Sequence, residues 1–451
     1  MTKNSGETHG IQKVIAEYKE IIKNGNIQFN IDNTPAKPVK RLLKLFNTVE
    51  DTRVEPRTVY PLGELLLISF LAILGGADTF VTIADFCCMR INLLRKFTPL
   101  ENGAPSHDTF RRVFSLLDPQ CLQEVTVAYL LDNIRLMRRA FGIDGDGLRH
   151  ICVDGKTAKG SGRLKDTAHE IPKIHTLHVY DTTNGICLVS KAVGEKTNEI
   201  PVAQDILKGM DLKDVVVTFD AMNTQKETIA IITAQKGLYL GALKGNQPDL
   251  FYEADSYFTS ARLSRIKASK TNYISYTEKA HNCVETRSYW FTKNVEWLVQ
   301  IGDWPGLRSI VRYEKKSINL VTDKEIKEIY YYISSLSNAQ DCADVIRGHW
   351  GVENLLHWHL DVNFKEDDCT VTDRKAFQNI SLMNKLTLTL LKLAAPIFKV
   401  SVKTARLRAA WEIETVLKTL CAFDEDVIET AMLSINPDAG RKGKLKIPED
   451  Y

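Results

Sequence analysis

The sequence of 451 residues has no Cys-x-x-Cys pair, and its nine cysteines are scattered at positions 87, 88, 121, 152, 187, 283, 342, 369 and 421. An odd, dispersed set excludes a zinc ribbon and a disulfide framework, and makes a reducing cytosol the default. Long apolar runs are also missing. The longest, Leu65 to Ala77, is too short to span a bilayer and reads as a buried helix. Met1 to Gln12 is polar and lacks the apolar stretch of a secretory signal. Internal repeats and low-complexity tracts are absent. Charge of either sign is not in surplus: 59 basic and 56 acidic side chains leave +3. A nucleic-acid partner would therefore be held by local basic patches, not by overall charge. Apolar residues at 44% and charged residues at 25% exclude wholesale disorder and collagen-like structure. The length suggests two to four domains.

Helical spacing governs the first third. Thr8 to Lys23 reads as an amphipathic helix, and Leu65, Leu66, Ile68, Phe70, Leu71 and Leu74 recur as a helix core. A further helix is expected from Thr79 to Lys96. Pro105 to Phe114 offers Ser106 as an N-cap, with Arg111 and Arg112 inside the helix. The period then changes. His150 to Gly155 is a buried strand ending at Asp154. Ile174 to Tyr180 and Ile186 to Val193 flank Asn184-Gly185, a hairpin signal. Thr197 to Leu207 is helical, capped by Thr197 or Asn198. Val215 to Phe219 is a doubly buried strand ending at Asp220. Asn223 to Gln235 reads as a helix, Leu238 to Leu243 as a strand, and Pro248 opens another helix. This order makes an α/β mixed sheet with flanking helices. Alternation returns at Tyr273 to Tyr276, Val284 to Phe291, Leu307 to Tyr313 and Glu328 to Ser334. Asp344 to Leu360 and Phe377 to Leu393 are helices, followed by basic Lys399, Lys403, Arg406 and Arg408 and a polar stretch after Pro437.

Asp154 and Asp220 end two central strands, and side chains at such ends converge on one edge of a sheet, where ligands bind. A third acid has two candidates. His349, Glu353, His357 and Asp361 stack on one helix face, so either Glu353 or Asp361 can join the aspartates. Carboxylate oxygens suit magnesium or manganese. Two such ions roughly 3.5–4 Å apart stabilise both the attacking and the leaving oxygen in phosphodiester cleavage. Lys156, Lys159 and Arg163 follow Asp154 closely and are placed to hold a phosphate backbone.

Seven blocks carry a specific resemblance: Pro105 to Phe114, Val153 to Lys156 (VDGK), Lys196 to Ile200 (KTNEI), Phe219 to Gln225 (FDAMNTQ), Leu243 to Gln247 (LKGNQ), Tyr332 to Leu336 and His349 to Asp367. In this order the chain resembles the H-repeat-associated insertion-sequence transposases of bacteria, a DDE branch with a ribonuclease-H-like core. The resemblance implies a triad of Asp154, Asp220 and Glu353 binding magnesium or manganese, with two ions expected. It implies hydrolysis of phosphodiesters at transposon ends and transfer of the freed 3′-hydroxyls into target DNA. DNA is the expected partner, a homodimer on DNA the expected assembly, and the bacterial cytoplasm, at the nucleoid, the expected location. The expected divisions are a helical N-terminal domain at 1–145, a first core part at 146–260, a β-rich insertion at 261–340, core completion at 341–400 and a basic helical tail at 401–451. Trp290, Trp297 or Trp304 of the insertion would stack an unpaired base. Expected DNA contacts are Lys156, Lys159, Arg163, Lys244, Arg347, His349, Arg111 and Arg112, with the tail from Lys399 to Arg408. The chain departs from the family in three places. Lysine stands at 159 where arginine is common, Asn223-Thr224 replaces Gly-Cys, and no lysine follows Glu353 by one or two turns.

Two other readings compete. His349, His357 and His359 would form a zinc hydrolase site, or the chain would be a catalytically silent DNA-binding relative.

Overall fold

In a computed structural model the described residues are 36–53, 58–140, 148–162, 171–194, 197–280, 282–397, 399–412 and 420. The helix expected at Thr8 to Lys23, Arg163 and the stretch after Pro437 lie outside them. Up to residue 140 the described chain is helical: α1 (Ala36–Phe46), α2 (Leu62–Leu74), α3 (Phe80–Leu94), α4 (His107–Leu116) and α5 (Pro119–Ala140). All 13 residues of α2 are buried, as expected of a helix apolar on every side. Thr79 and Ser106 begin α3 and α4 by accepting from the backbone N–H of Thr82 and Thr109.

The sheet begins with an antiparallel meander, β1 (Arg149–Thr157), β2 (His175–Asp181) and β3 (Ile186–Ala192). The turn between β2 and β3 closes at Gly185, whose φ of 71° favours glycine. Helix α6 (Glu199–Lys208), capped by Asn198, leads into β4 (Val215–Phe219), which pairs parallel with β1. Helix α7 (Lys226–Ala234) leads into β5 (Leu238–Leu243), parallel with β4. The order β3-β2-β1-β4-β5 with its crossover helices is the ribonuclease-H-like arrangement. Every residue of β4 is buried. Val215, Val217 and Phe219 join a core with Leu207 of α6 and Ile229 and Ile232 of α7. Val216 faces the opposite layer. Helix α7 starts later than the spacing suggested. The backbone N–H of Asn223 turns back to Asp220 Oδ1 at 3.0 Å, and the Thr224 hydroxyl donates to the Asp220 carbonyl at 2.9 Å, so local side-chain bonds compete with the helix.

After α8 (Pro248–Tyr257) and α9 (Ser260–Ala268) come β6 (Tyr273–Ala280), β7 (Cys283–Thr292), β8 (Ser309–Asn319) and β9 (Glu325–Ser334). Because β9 pairs antiparallel with β5, these strands extend the core sheet to nine, in the order β3-β2-β1-β4-β5-β9-β8-β7-β6. They run further than apolar alternation indicated. Their outer halves are joined by charge pairs across strands, Arg287 with Glu278 and Lys316 with Glu325. Their inner halves carry stacked Tyr289, Tyr313 and Tyr330, and the stack ends on Trp350.

Trp350 lies on α10 (Ala339–Val352), which Asn338 caps one turn ahead of the expected start. A π-helical turn, Glu353–His357, joins it to α11 (Trp358–Phe364). Then come α12 (Arg374–Ile397) and α13 (Val402–Trp411). Helix α12 lies against α4, α5 and β3. Its buried Asn379 donates to the carbonyls of Phe114 and Leu117, each at 2.9 Å, and so ties the helical layer to the sheet. Among the described residues no helix is long and apolar enough to cross a membrane.

Helix α10 crosses β1 at Gly348, where a Cβ would stand 2.8 Å from His150 Nδ1. Alanine is favoured over glycine inside a helix by roughly 0.5–1 kcal/mol, but overpacking typically costs about 1–3 kcal/mol. Gly348→Ala should therefore lower the urea-unfolding free energy by about 1 kcal/mol. A variant as stable as the parent would show that α10 has slack against β1.

Candidate active site

The register of β1 with β4 sets Val153 beside Phe219, so the next residues, Asp154 and Asp220, stand side by side where the parallel pairing stops; Asp154 is not the strand end expected from the sequence, because β1 runs on to Thr157 against β2. Alternation puts His150, Cys152 and Asp154 of β1 on the face that α10 covers. His150 Nε2 and His349 Nδ1 meet the Thr218 hydroxyl at 2.8 and 3.0 Å. One turn beyond His349, the π-helical segment presents Glu353. Its wider turn brings His357 almost directly over Glu353, and His357 Nδ1 lies 3.2 Å from Glu353 Oε2 and 3.6 Å from Asp154 Oδ2. Ligand atoms of Asp154, Glu353 and His357 lie within 4.8 Å of one another. His178, opposite Asp154 on β2, supports His357 from behind, with Nδ1 to Nε2 at 3.2 Å.

Burial pushes the Asp154 carboxyl up to about 7. The negative charges of Asp220, Glu199 and Glu353 add to this, against a hydrogen bond from the Gly155 N–H. Such an arrangement of acids is repulsive by itself and is relieved by a cation. Burial also lowers the pKa of His357, against the pull of Glu353. The carboxylates of Asp154 and Glu353, with Asp220 adjacent, are hard oxygen donors for a divalent cation, and the His357 imidazole is a softer donor beside them.

The other acid on the helix face, Asp361, is engaged elsewhere. Lys156 Nζ lies 2.6 Å from Asp361, 3.2 Å from Asp367 and 3.9 Å from Glu366. Burial disfavours the charge on Lys156, but these three carboxylates outweigh it and raise its pKa. Lys159 pairs with Asp367 at 2.5 Å. The two lysines thus clasp β1 to the end of α11. Arg347 pairs with Glu278 at 2.5 Å and Arg111 with Asp108 at 3.2 Å. Lys244, just past the end of β5, and Arg112 are exposed.

The three histidines of the zinc reading do not converge. His349 bonds Thr218, His359 bonds Asn363 at 2.7 Å, and only His357 belongs to the ligand group. Burial holds His349 and His359 down to about 4. Of the three tryptophans expected to stack a base, Trp304 and Trp290 are buried, and Trp297 is stacked on Tyr257 at 4.4 Å. Exposed indoles near the site belong instead to Trp350 and Trp358. The residues that sequence reasoning passed over are Glu199, His175 and Asn223. Glu199 sits in the KTNEI block, but a glutamate in a first helical turn is ordinary in sequence.

The model of the family described as Transposase DDE domain matches residues 145–390, and that described as DDE_Tnp_1-associated matches residues 43–130. The H repeat-associated putative transposase YhhI of Escherichia coli (strain K12) is 29% identical over 378 residues, covering 83% of this chain and 96% of that protein. Putative transposase YncI of Escherichia coli O157:H7 is 31% identical over 364 residues, covering 78% and 88%. A solved piggyBac transposase synaptic complex with hairpin DNA is 12% identical, with a TM-score of 0.36 over 99% of this chain and 84% of that one.

Two measurements check this electrostatic account. The raised Asp154 pKa means that the unfolded chain ionises first, so metal-free stability is lost as pH rises from about 4 to 7. Asp154→Asn should raise the metal-free Tm by a few degrees at pH 8 and leave it unchanged near pH 3.5. An equal gain at both pH values would refute the assignment. Lys156→Ala should cost about 3 kcal/mol of stability, because three carboxylates lose their counter-ion. A solvated lysine would cost no more than about 0.5 kcal/mol.

Proposed function

The chain belongs to the Transposase DDE domain family, and from that premise we propose that Asp154, Asp220 and Glu353 are its catalytic carboxylates. Water would hydrolyse one phosphodiester at each transposon end, and the 3′-hydroxyl so freed would attack a target phosphodiester in line. The observation that supports this reading is the register that sets Asp220 beside Asp154, together with the closeness of Asp154, Glu353 and His357 ligand atoms. Parallel register supports Asp154 and Asp220 as neighbours, and the approach of His357 to both Glu353 and Asp154 supports Glu353 as the third acid.

Asp154, Asp220 and Glu353 would hold magnesium or manganese, expected as two ions, and when bound these lower the pKa of the attacking hydroxyl and neutralise the departing oxyanion. The chain's own groups do the rest. His357 orients Glu353 and Asp154 together. The Thr218 hydroxyl fixes the His349 ring under α10. The clasp at Lys156 occupies Asp361, Glu366 and Asp367, which leaves the proposed triad without a lysine or arginine partner among the described residues. Exposed Lys244 and Arg112 are placed to meet phosphates, while Lys156 is a structural cation before it is a DNA contact. Two ends must be joined to one target, so a homodimer on DNA is the working assembly.

Asp220→Ala should reduce strand cleavage of a labelled duplex carrying the element's flanking repeat by at least about 1,000-fold, while end binding changes less than about threefold. Cleavage should need magnesium or manganese and resist a zinc-selective chelator. Cleavage that survived in Asp220→Ala would overturn the triad.

A further inference from the structure

On the face of the sheet away from α10, a second set of polar groups reaches Asp220. The Thr157 hydroxyl, at the end of β1, bonds His175 Nδ1 at 2.7 Å. His175 Nε2, on β2, bonds Glu199 Oε1 at 2.6 Å. The other carboxylate oxygen, Glu199 Oε2, accepts from Asn223 Nδ2 at 3.0 Å. The same amide nitrogen donates to Asp220 Oδ1 at 3.1 Å, and the Asn223 backbone N–H reaches that oxygen at 3.0 Å. The approach depends on Gly155, because a Cβ there would stand 2.3 Å from Glu199 Oε1 and 2.9 Å from His175 Nε2.

The chemistry fixes which way the Asn223 amide points. Its two N–H bonds supply one hydrogen to each carboxylate, whereas the flipped amide would press its oxygen against both. Asn223 is buried, and its Oδ1 has no hydrogen-bond partner among the described residues. An unpaired buried acceptor is costly, so the two charge-assisted bonds on the nitrogen decide the orientation. Holding Asp220 Oδ1 from two directions leaves Oδ2 as the oxygen free for the site.

We propose that Glu199 and Asn223 act as one positioning unit that sets the Asp220 carboxylate for divalent-cation binding, with His175 and Thr157 anchoring Glu199. This rests on the reading of Asp220 as a site carboxylate. It also gives a role to the departure at position 223, where the commoner glycine has no side-chain amide to offer.

The test is Mn²⁺ affinity of the full chain without DNA, read by electron paramagnetic resonance of free Mn²⁺, with circular dichroism to confirm folding. Asn223→Ala and Glu199→Ala should each weaken Mn²⁺ binding by about tenfold or more. The double variant should be no weaker than the worse single one, because both break one unit. Glu199→Gln should stay within about threefold of the parent, since its amide oxygen still accepts from Asn223. Isosteric Asn223→Asp, which keeps the volume and removes the donor, should lose at least as much as alanine. Unchanged affinity in both Asn223 variants, with Asp220→Ala weakened, would overturn the positioning unit alone. Penalties that multiply in the double variant would overturn it too, as would a Glu199→Gln loss equal to that of alanine, which would make Glu199 a direct ligand. Unchanged affinity in Asp220→Ala would overturn the site reading itself and this proposal with it.

Discussion

Parallel pairing of β1 with β4 is the constraint from which the site is built. The apolar run Val215 to Phe219 is buried on both faces, and its register against Arg149 to Val153 is held by side chains from two separate cores. A one-residue slip would turn every side chain of the strand to the wrong face. The register therefore resists the repulsion between the two aspartates that follow it. Hydrophobic burial, spread over the sheet, holds Asp154 where its own desolvation, and then the charges of Asp220, Glu199 and Glu353, raise its pKa. A cation that offsets those charges would bind a geometry already in place.

Acids at this edge fall into two groups. Asp361, Glu366 and Asp367 share Lys156, and Asp367 also takes Lys159. Asp154 and Glu353 face each other across His357, with no lysine or arginine paired to either among the described residues. One group closes the structure by joining β1 to α11 and the turn after it. The other is left to receive charge from outside. The same stretch, His349 to Asp367, thus carries both a structural clasp and the proposed site glutamate, which stands in the π-helical turn between α10 and α11.

Much of this was readable from residue order. β4 and β5 match their expected spans residue for residue, because doubly buried strands leave unbroken apolar runs bounded by turn residues. The two aspartates that follow the parallel pairing could be singled out as candidates for the same reason, although β1 runs three residues past Asp154. The choice between Glu353 and Asp361 could not be made from spacing, since both lie on one helix face. It depends on Lys156, which is far away in sequence and reaches Asp361 through the fold. The outer halves of β6 to β9 were missed because ion pairs, not apolar side chains, hold them together. Glu199 was passed over because its meaning comes from Gly155 and Asn223, which only the tertiary structure sets against it.

The sheet runs unbroken from β3 to β6, and β9 is bonded to β5 on one side and β8 on the other. There is accordingly no joint along that line: swinging the outer ribbon relative to Asp220 would tear a ladder of backbone hydrogen bonds. Whatever grips the tip beyond Asn319 and Glu325 applies torque straight to the strands that place the aspartates. The outer ribbon is thus a lever cast in one piece with its fulcrum, and adjustment to the shape of a bound duplex has to come from the layers around it.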